Sequence, residues 1–332
     1  DGDGVYTGAR VGGFSNVVDS MCSNLDGFEH HVLLSQGQKF EYGYWKGRKN
    51  IEIRDNLHIH YFPNSGDISN CSDVEYTFKG LLEKSYEDFN FDFIVTRVVQ
   101  PDMDLKGIDK KCRWLNFTHG SPTNSNLSDV YINMIDVNLL FSEWQKTRLK
   151  DNSKSVVIPF PIDTTIFYPR NKNPKNDFVW HGRIAPEKRI IDFAIRFETE
   201  VDSNLTVIGG PDNAQWMDDI INSYLERTQF VGRKFDEVLA ESLAAHKNYV
   251  LMSEYETYCV ALLEALAVGC SVYVIYHPSL EWAREGVCFV NDMDELFEII
   301  KNPIAVNNFE WVVDNFSWSV LKDKYVALFN QP

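Results

Sequence analysis

Twelve short apolar runs, most of them ending in turn or polar residues and followed by helical periodicity, govern what this chain can fold into. In the first half they are HHVLLS (30–35), LHIHYF (57–62), DFIVTR (92–97), CRWLNFT (112–118), VNLLFS (137–142) and SVVIPF (155–160). In the second half they are DFVWHG (177–182), LTVIGG (205–210), TQFVG (228–232), YVLMS (249–253), SVYVIY (271–276) and VCFV (287–290). Continuous apolar strands separated by helices indicate parallel sheets covered on both faces, an α/β arrangement. The set divides near 160–170, where PFPIDTTIFYPRNKNPKND carries four prolines and little helical signal. A chain of 332 residues is long enough for two doubly wound domains, each with its own core. Side by side they would present a cleft at the carboxyl ends of their strands, where ligands bind. The N-terminus fits less well: only Val5 and Tyr6 precede Gly8, Gly12 and Gly13, so the first strand is expected to be cut short.

The net charge of −16 argues against nonspecific binding to nucleic acid or anionic lipid, although a local basic patch can override it. No apolar run approaches the ~18 residues of a membrane span, and no secretory signal pattern is read. The six cysteines, at 22, 71, 112, 259, 270 and 288, show no C-x-x-C spacing. Free thiols in a reducing compartment are expected rather than a zinc site or a disulfide framework. The expected location is the cytoplasm, with contact at a membrane surface open.

The segment SEYETYCVALLEALAVG (253–269) places Glu264 inside an otherwise apolar helical run. A helix apolar nearly all round is buried, and an unpaired buried carboxylate costs several kcal/mol. A structural Lys or Arg, a half-exposed helix, or a ligand would each satisfy it. Eight steps of continuous helix would separate Glu256 from Glu264 by ~12 Å and rotate them by about 80°. With Glu256 on the preceding loop instead, both can face one pocket. The N–H groups of Tyr258, Cys259, Val260 and Ala261 are then the free donors of a first turn, which suits phosphate.

Three further stretches carry chemistry. In HGRIAPEKR (181–189), Arg183 and Lys188 lie five apart across a proline turn. A planar fork and a point charge suit a diphosphate, or are two solvated cations on a turn. In RVGGFSNVVDSM (10–21), Gly12 and Gly13 precede a helical run and allow close backbone approach to a ligand. In NFTHGSP (116–122), His119 stands at a strand's carboxyl end, as a donor to a ligand hydroxyl or simply a satisfied polar residue.

Taken together these blocks resemble, in the right order, the retaining nucleotide-sugar glycosyltransferases of family 4, which have the two-domain GT-B fold. SEYETYCVALLEALAVG is similar to the family's S-x-x-E-G-F-G-x-x-x-x-E-A-x-A-x-G signature, and GRIAPEKR to G-R-L-x-x-E-K-G. VIPFPIDTTIFYP resembles the linker I-P-N-G-V-D-x-x-x-F-x-P. FVGRKFDEVLAESLAAHKNYVLMS resembles the stretch before the signature, and FSWSVLKDKYVALF the closing helix. The resemblance is good over about 137–330 and thin before 110.

It implies two Rossmann-like domains: 1–163 on the acceptor side, 164–310 binding the nucleotide sugar, and 311–332 as a helix returning to the first. Arg183 and Lys188 would neutralise the donor diphosphate, Glu264 would accept from ribose hydroxyls, and Glu256 would hold a hydroxyl of the transferred sugar. The backbone at Tyr258 and Cys259 would meet the sugar, and that at Val260 and Ala261 the phosphates. Gly12 and Gly13 would close over the donor, His119 would approach the sugar, and the base would stack near Gly232 and Arg233. Of the family's G-F-G both glycines are replaced, giving Thr257-Tyr258-Cys259. Because left-handed backbone is costly for such residues, the loop is expected to have ordinary backbone and a tighter, more polar sugar pocket. The linker's N-G is likewise replaced, by Phe160-Pro161.

The implied reaction is retaining, front-face transfer of a hexose from a UDP-, GDP- or ADP-sugar to a hydroxyl, without cofactor or metal, in polysaccharide biosynthesis. EYGYWKGRKN (41–50) mixes aromatic and basic residues that could stack on an acceptor sugar or base, or touch a membrane. A growing glycan is the expected acceptor. Modified DNA is the runner-up, against which the charge weighs. A GT-B-fold epimerase and a nonenzymatic sugar-nucleotide-binding module are the rivals from other classes.

Overall fold

The computed structural model describes residues 30–35, 51–54, 57–62, 92–97, 112–118, 133–171, 173–211, 225–305 and 308–330, with Met21, Asn24, Leu25 and Phe28. The chain forms two compact units. One comprises Asp1–Phe141, Lys146–Ile158 and Lys324–Pro332, the other Ser142–Gln145 and Pro159–Asp323.

In the first unit, β1 (His30–Ser35), β2 (Ile51–Arg54) and β3 (Leu57–Phe62) form a sheet in the order β1-β3-β2. The pair β1 and β3 is parallel, but β2 runs antiparallel to β3. This strand departs from the expected all-parallel arrangement. The physical reason is local: only Asp55 and Asn56 separate β2 from β3, and so short a connection permits only antiparallel pairing. Its alternating Ile-Glu-Ile-Arg pattern suits an edge strand with one wet face.

A second sheet in this unit runs β4 (Phe93–Arg97), β5 (Arg113–Phe117), β6 (Val137–Leu140), β7 (Ser155–Val157), all parallel. Strand β7 stops short of the expected 155–160, because Pro159 and Pro161 offer no N–H to a ladder. Trp114, Leu115, Phe117, Leu139 and Leu140 are buried in the central strands. Asn116, Thr118 and Asn138 are also buried there, and they satisfy one another: Asn116 Nδ2 donates to Asn138 Oδ1 at 2.7 Å, as does Thr118 Oγ1 at 2.7 Å. Near the end of the chain, the Phe329 ring lies 4.6 Å from that of Phe93 and 5.4 Å from that of Phe28.

The second unit is built on a six-stranded parallel sheet. Its strands are β8 (Lys175–Ile184), β9 (Leu205–Pro211), β10 (Thr228–Phe230), β11 (His246–Leu251), β12 (Ser271–Ile275) and β13 (Cys288–Val290). The spatial order is β10-β9-β8-β11-β12-β13. The direction of winding therefore reverses between β8 and β11, which is the doubly wound topology, and ligands bind where that reversal opens a crevice at the strands' carboxyl ends.

Period-two alternation sorts the residues of these two central strands. Phe178, Trp180, Val250 and Met252 face a core shared with Phe193 and Phe197 of α1 (Ile190–Glu200). Leu296, Phe297 and Ile300 of a helix spanning Met293–Ile300 complete it. Burying each of these large side chains contributes about 1.5–3 kcal/mol. The intervening residues Val179, His181 and Tyr249 point to the other face, where His181 meets Glu264 of the helix Val260–Ala267. This helix, α2, is buried over Leu262–Ala267 and ends in a Schellman cap at Gly269 (φ 86°), with Gly269 N donating to Leu266 O and Cys270 N to Ala265 O. Close approach also dictates Gly209: a Cβ there would sit 2.1 Å from the carbonyl oxygen of Gly182 on the neighbouring strand.

Candidate active site

The site assembles from what leaves β8 and β11 at their carboxyl ends. Strand β8 ends in His181-Gly182-Arg183-Ile184 and passes into a 3-10 turn, Pro186–Lys188, with proline at its start. Arg189 closes that turn in the left-handed region (φ 54°) and leads into α1. Strand β11 runs into the loop 252–259 and then α2. A backbone bond from Glu254 N to Glu187 O, 2.8 Å, ties the two loops together. Lys188 Nζ then donates to Glu256 Oε1 at 2.6 Å. Glu256 is 7% exposed, so the lysine gives a buried carboxylate its paired partner.

Glu256 does lie on the loop, one turn ahead of α2, and Glu264 lies within it. Glu264 is 8% exposed. Its buried partner is neither Lys nor Arg but His181, whose Nε2 stands 2.6 Å from Glu264 Oε2. Reasoning from the sequence passed over His181. A polar ring interrupting the apolar strand DFVWHG, on the α2 side of the sheet, was the available signal. Tyr249 packs edge-on against His181 at 5.7 Å, and its hydroxyl donates to the His181 carbonyl at 3.3 Å. Burial, then the negative charges beside it, Glu256 and Glu264 among them, keep this phenol far above its ordinary pKa and hence neutral.

The triplet between the carboxylates corrects the expectation of ordinary backbone. Cys259, the residue before α2, sits in the left-handed region at φ 64°, ψ 76°. The reason lies one residue upstream. Tyr258 is 1% exposed, stacked on Trp282 at 4.6 Å, with its hydroxyl accepting from Phe160 N at 3.2 Å and its carbonyl accepting from Trp282 Nε1 at 2.9 Å. A chain pinned there must enter the helix at Val260 in a single step, and a left-handed residue makes that turn. Tyr258 therefore fills the core and not a sugar pocket, which corrects the expected narrowing for that side chain. Cys259 is half-buried, and burial, with Glu256 next in weight, keeps its thiol well above the usual cysteine pKa.

The start of α2 has no side-chain cap and no acidic residue in its first turn. The N–H groups at Val260 and Ala261 therefore open onto a terminus with a partial positive charge, flanked by Glu256 and Lys188. Ser253, at the head of the same loop, is 5% exposed, and its hydroxyl has no partner among the described residues. His277, after β12, stands edge-on to Tyr255 at 5.6 Å; burial lowers its pKa against the opposing pull of Glu256.

Arg183 is half-exposed and forms an ion pair with Glu187. Gly232 adopts φ 74°, and Arg233 lies across Gly210 at the end of β9, where a Cβ would come within 2.5 Å of the guanidinium Nε. Gly12, Gly13 and His119 lie outside the described residues, as does the segment 41–50. Among the described residues no group of three or more His, Cys, Asp or Glu is gathered as a metal site, and no helix is long and apolar enough to cross a membrane.

Residues 175–303 match the family described as Glycosyl transferases group 1. No curated protein matches the sequence. The fold is similar to that of a sucrose-phosphate synthase from Thermosynechococcus elongatus: TM-score 0.73 at 16% identity, over 96% of this chain and 93% of that one. It is also similar to AviGT4, a glycosyltransferase involved in avilamycin A biosynthesis, with TM-score 0.65 at 17% identity over 96% and 89% of the two chains. Anabaena HepE, solved in complex with UDP and glucose, gives a TM-score of 0.61 at 14% identity over 83% and 87%. The chain thus has the GT-B fold, and the part of it that matches the group 1 glycosyltransferase family, residues 175–303, holds the doubly wound sheet and both carboxylates.

Proposed function

We propose that this glycosyltransferase moves a hexose from a nucleoside diphosphate sugar to a hydroxyl of a glycan acceptor, with retention and without a metal ion. The observation that carries the reading is the placement of the two carboxylates about the uncapped start of α2. Glu256 stands ahead of it on Lys188, and Glu264 stands behind it on His181. A diphosphate seated on that terminus is flanked by a carboxylate on each side. One faces the sugar and the other the ribose.

In this reading the diphosphate accepts from the N–H groups of Val260 and Ala261 and from Lys188. The ammonium has three donors, so it can keep Glu256 while adding a phosphate oxygen. Arg183 adds its charge as negative charge develops on the leaving diphosphate. Glu256 accepts from a hydroxyl of the transferred sugar, and Glu264 from the ribose. The bond from the anomeric carbon to the diphosphate oxygen breaks, and the acceptor oxygen bonds to that carbon from the same face. The acceptor's proton passes to the diphosphate oxygen. The protein supplies position and charge rather than a nucleophile. Residues 164–310 hold the donor and 1–163 the acceptor, and Gly232 and Arg233 border the base. HepE was solved with UDP and glucose, which makes UDP-glucose the first donor to try.

The test is a thermal-shift screen of UDP-, GDP- and ADP-sugars, then incubation of the best donor with glycan acceptors and anomeric assignment of the product by NMR. A ligand at 100 times its Kd stabilises by about 2.7 kcal/mol. An α-linked product from an α-configured donor, formed undiminished in EDTA, is expected. No shift with any nucleotide sugar would overturn the reading.

A further inference from the structure

The contact between His181 and Glu264 is a link in the site that the sequence motifs do not explain. Both residues are more than nine-tenths buried, and their side chains meet at 2.6 Å. A carboxylate accepts, so the donor this contact calls for is Nε2–H, and the contact couples the ring's tautomer to the carboxylate's orientation. The ring is itself clamped. Its residue is paired within β8 to Ile208 of β9, its carbonyl accepts from Tyr249, and the Tyr249 ring packs against its edge. Its Nδ1 has no partner among the described residues. The single side-chain hydrogen bond of this buried imidazole is spent on Glu264.

We infer that His181 is a positioning residue for the ribose of the donor nucleotide. It rests on the reading of Glu264 as the ribose acceptor. By holding Oε2, His181 leaves Oε1 aimed and ordered before the nucleotide arrives. A glutamate that had to be ordered on binding would forfeit roughly tenfold in affinity. His181 acts through Glu264 and need not touch the ligand.

The experiment is calorimetry on the intact chain with whichever of UDP, GDP and ADP the wild type binds most tightly, and with the 2′,3′-dideoxy form of that nucleotide. His181→Gln places an amide N–H near the position of Nε2, whereas His181→Asn places one near Nδ1, and His181→Leu removes the donor. For the ribonucleotide, affinity should stay within about threefold in His181→Gln and fall about tenfold in His181→Asn and His181→Leu. The dideoxy nucleotide should bind all four proteins alike. A merely structural role would weaken both nucleotides together and would not separate Gln from Asn. Thermal unfolding without ligand reports which variants fold, and the Gln–Asn comparison carries the test should the Leu variant not. Equal ribonucleotide affinity in all variants, or equal losses for the two nucleotides, overturns this inference alone. A wild-type chain that binds none of the three nucleotides overturns the donor reading with it.

Discussion

Lys188 and Glu256, 68 positions apart, meet at 2.6 Å between the two loops that leave the sheet where its winding reverses. The pair does two things at once. It holds the loops in register beside the Glu254–Glu187 backbone bond, and it keeps a cation next to the start of α2. Lys188→Met leaves a buried carboxylate uncompensated and should cost about 2–4 kcal/mol in urea unfolding. The double variant Lys188→Met, Glu256→Gln should recover at least 1 kcal/mol of that, because neither partner is then stranded. Additive losses would show that the two residues are not coupled.

Cys259 stands where left-handed backbone is needed, and the cost to a non-glycine residue is roughly 1–2 kcal/mol. Cys259→Gly relieves that strain but frees the unfolded chain, so stability should stay level or rise by up to about 1 kcal/mol. Cys259→Val, β-branched in the same conformation, should lose at least 2 kcal/mol. Melting temperatures of the ligand-free proteins decide it, and a Val variant as stable as wild type would mean that the loop relaxes out of this conformation.

Glu264→Ala should weaken nucleotide binding by about 1.5–3 kcal/mol, the worth of hydrogen bonds from ribose to an ionised acceptor. The same change strands His181 in the core, so the free protein should also melt earlier. Calorimetry and melting measured together separate the two losses. Binding at wild-type strength would remove Glu264 from the ribose.

Alkaline pH should destabilise this fold beyond what its surface charge explains. Burial pushes the Cys270 thiol up to about 12, and burial together with the neighbouring Cys288 pushes the Tyr273 hydroxyl up to about 12. Both groups ionise earlier in the unfolded chain. Their stabilisation is therefore complete below the unfolded values and is lost as pH rises through the folded ones, from about pH 9 to 12, at up to ~1.4 kcal/mol per pH unit for each group. Urea midpoints measured across that range should fall less steeply in Cys270→Ala than in wild type. Parallel slopes would show that the thiol ionises in place.

Tyr258→Phe removes the acceptor for the buried Phe160 N–H and should cost about 1–2 kcal/mol of stability. Donor affinity should be unchanged, since this ring is buried and stacks on Trp282 inside the unit. A change in donor affinity without a change in melting temperature would reverse that assignment.

Much of this was legible in the chain itself. Continuous apolar runs such as YVLM at 249–252 and VYVI at 272–275 specify parallel strands because both faces of each are covered, and a period of that kind is written locally. The same holds for Glu264: one carboxylate in an apolar helix announces that a partner exists, although not which. The sequence also marks Lys188 and Glu256 as chemistry-bearing, each within a local motif.

What only the tertiary structure decided was who meets whom. His181 and Glu264 are 83 positions apart, and they touch because the winding of the sheet lays α2 over the odd-numbered face of β8. The left-handed Cys259 follows from Trp282, which pins Tyr258 from 24 residues downstream. Propensity speaks for a residue and its near neighbours, and it favoured ordinary backbone at 259. Burying two large aromatic side chains against each other outweighs the roughly 1–2 kcal/mol of strain at one residue. That balance is struck in the packed core, where no local pattern records it.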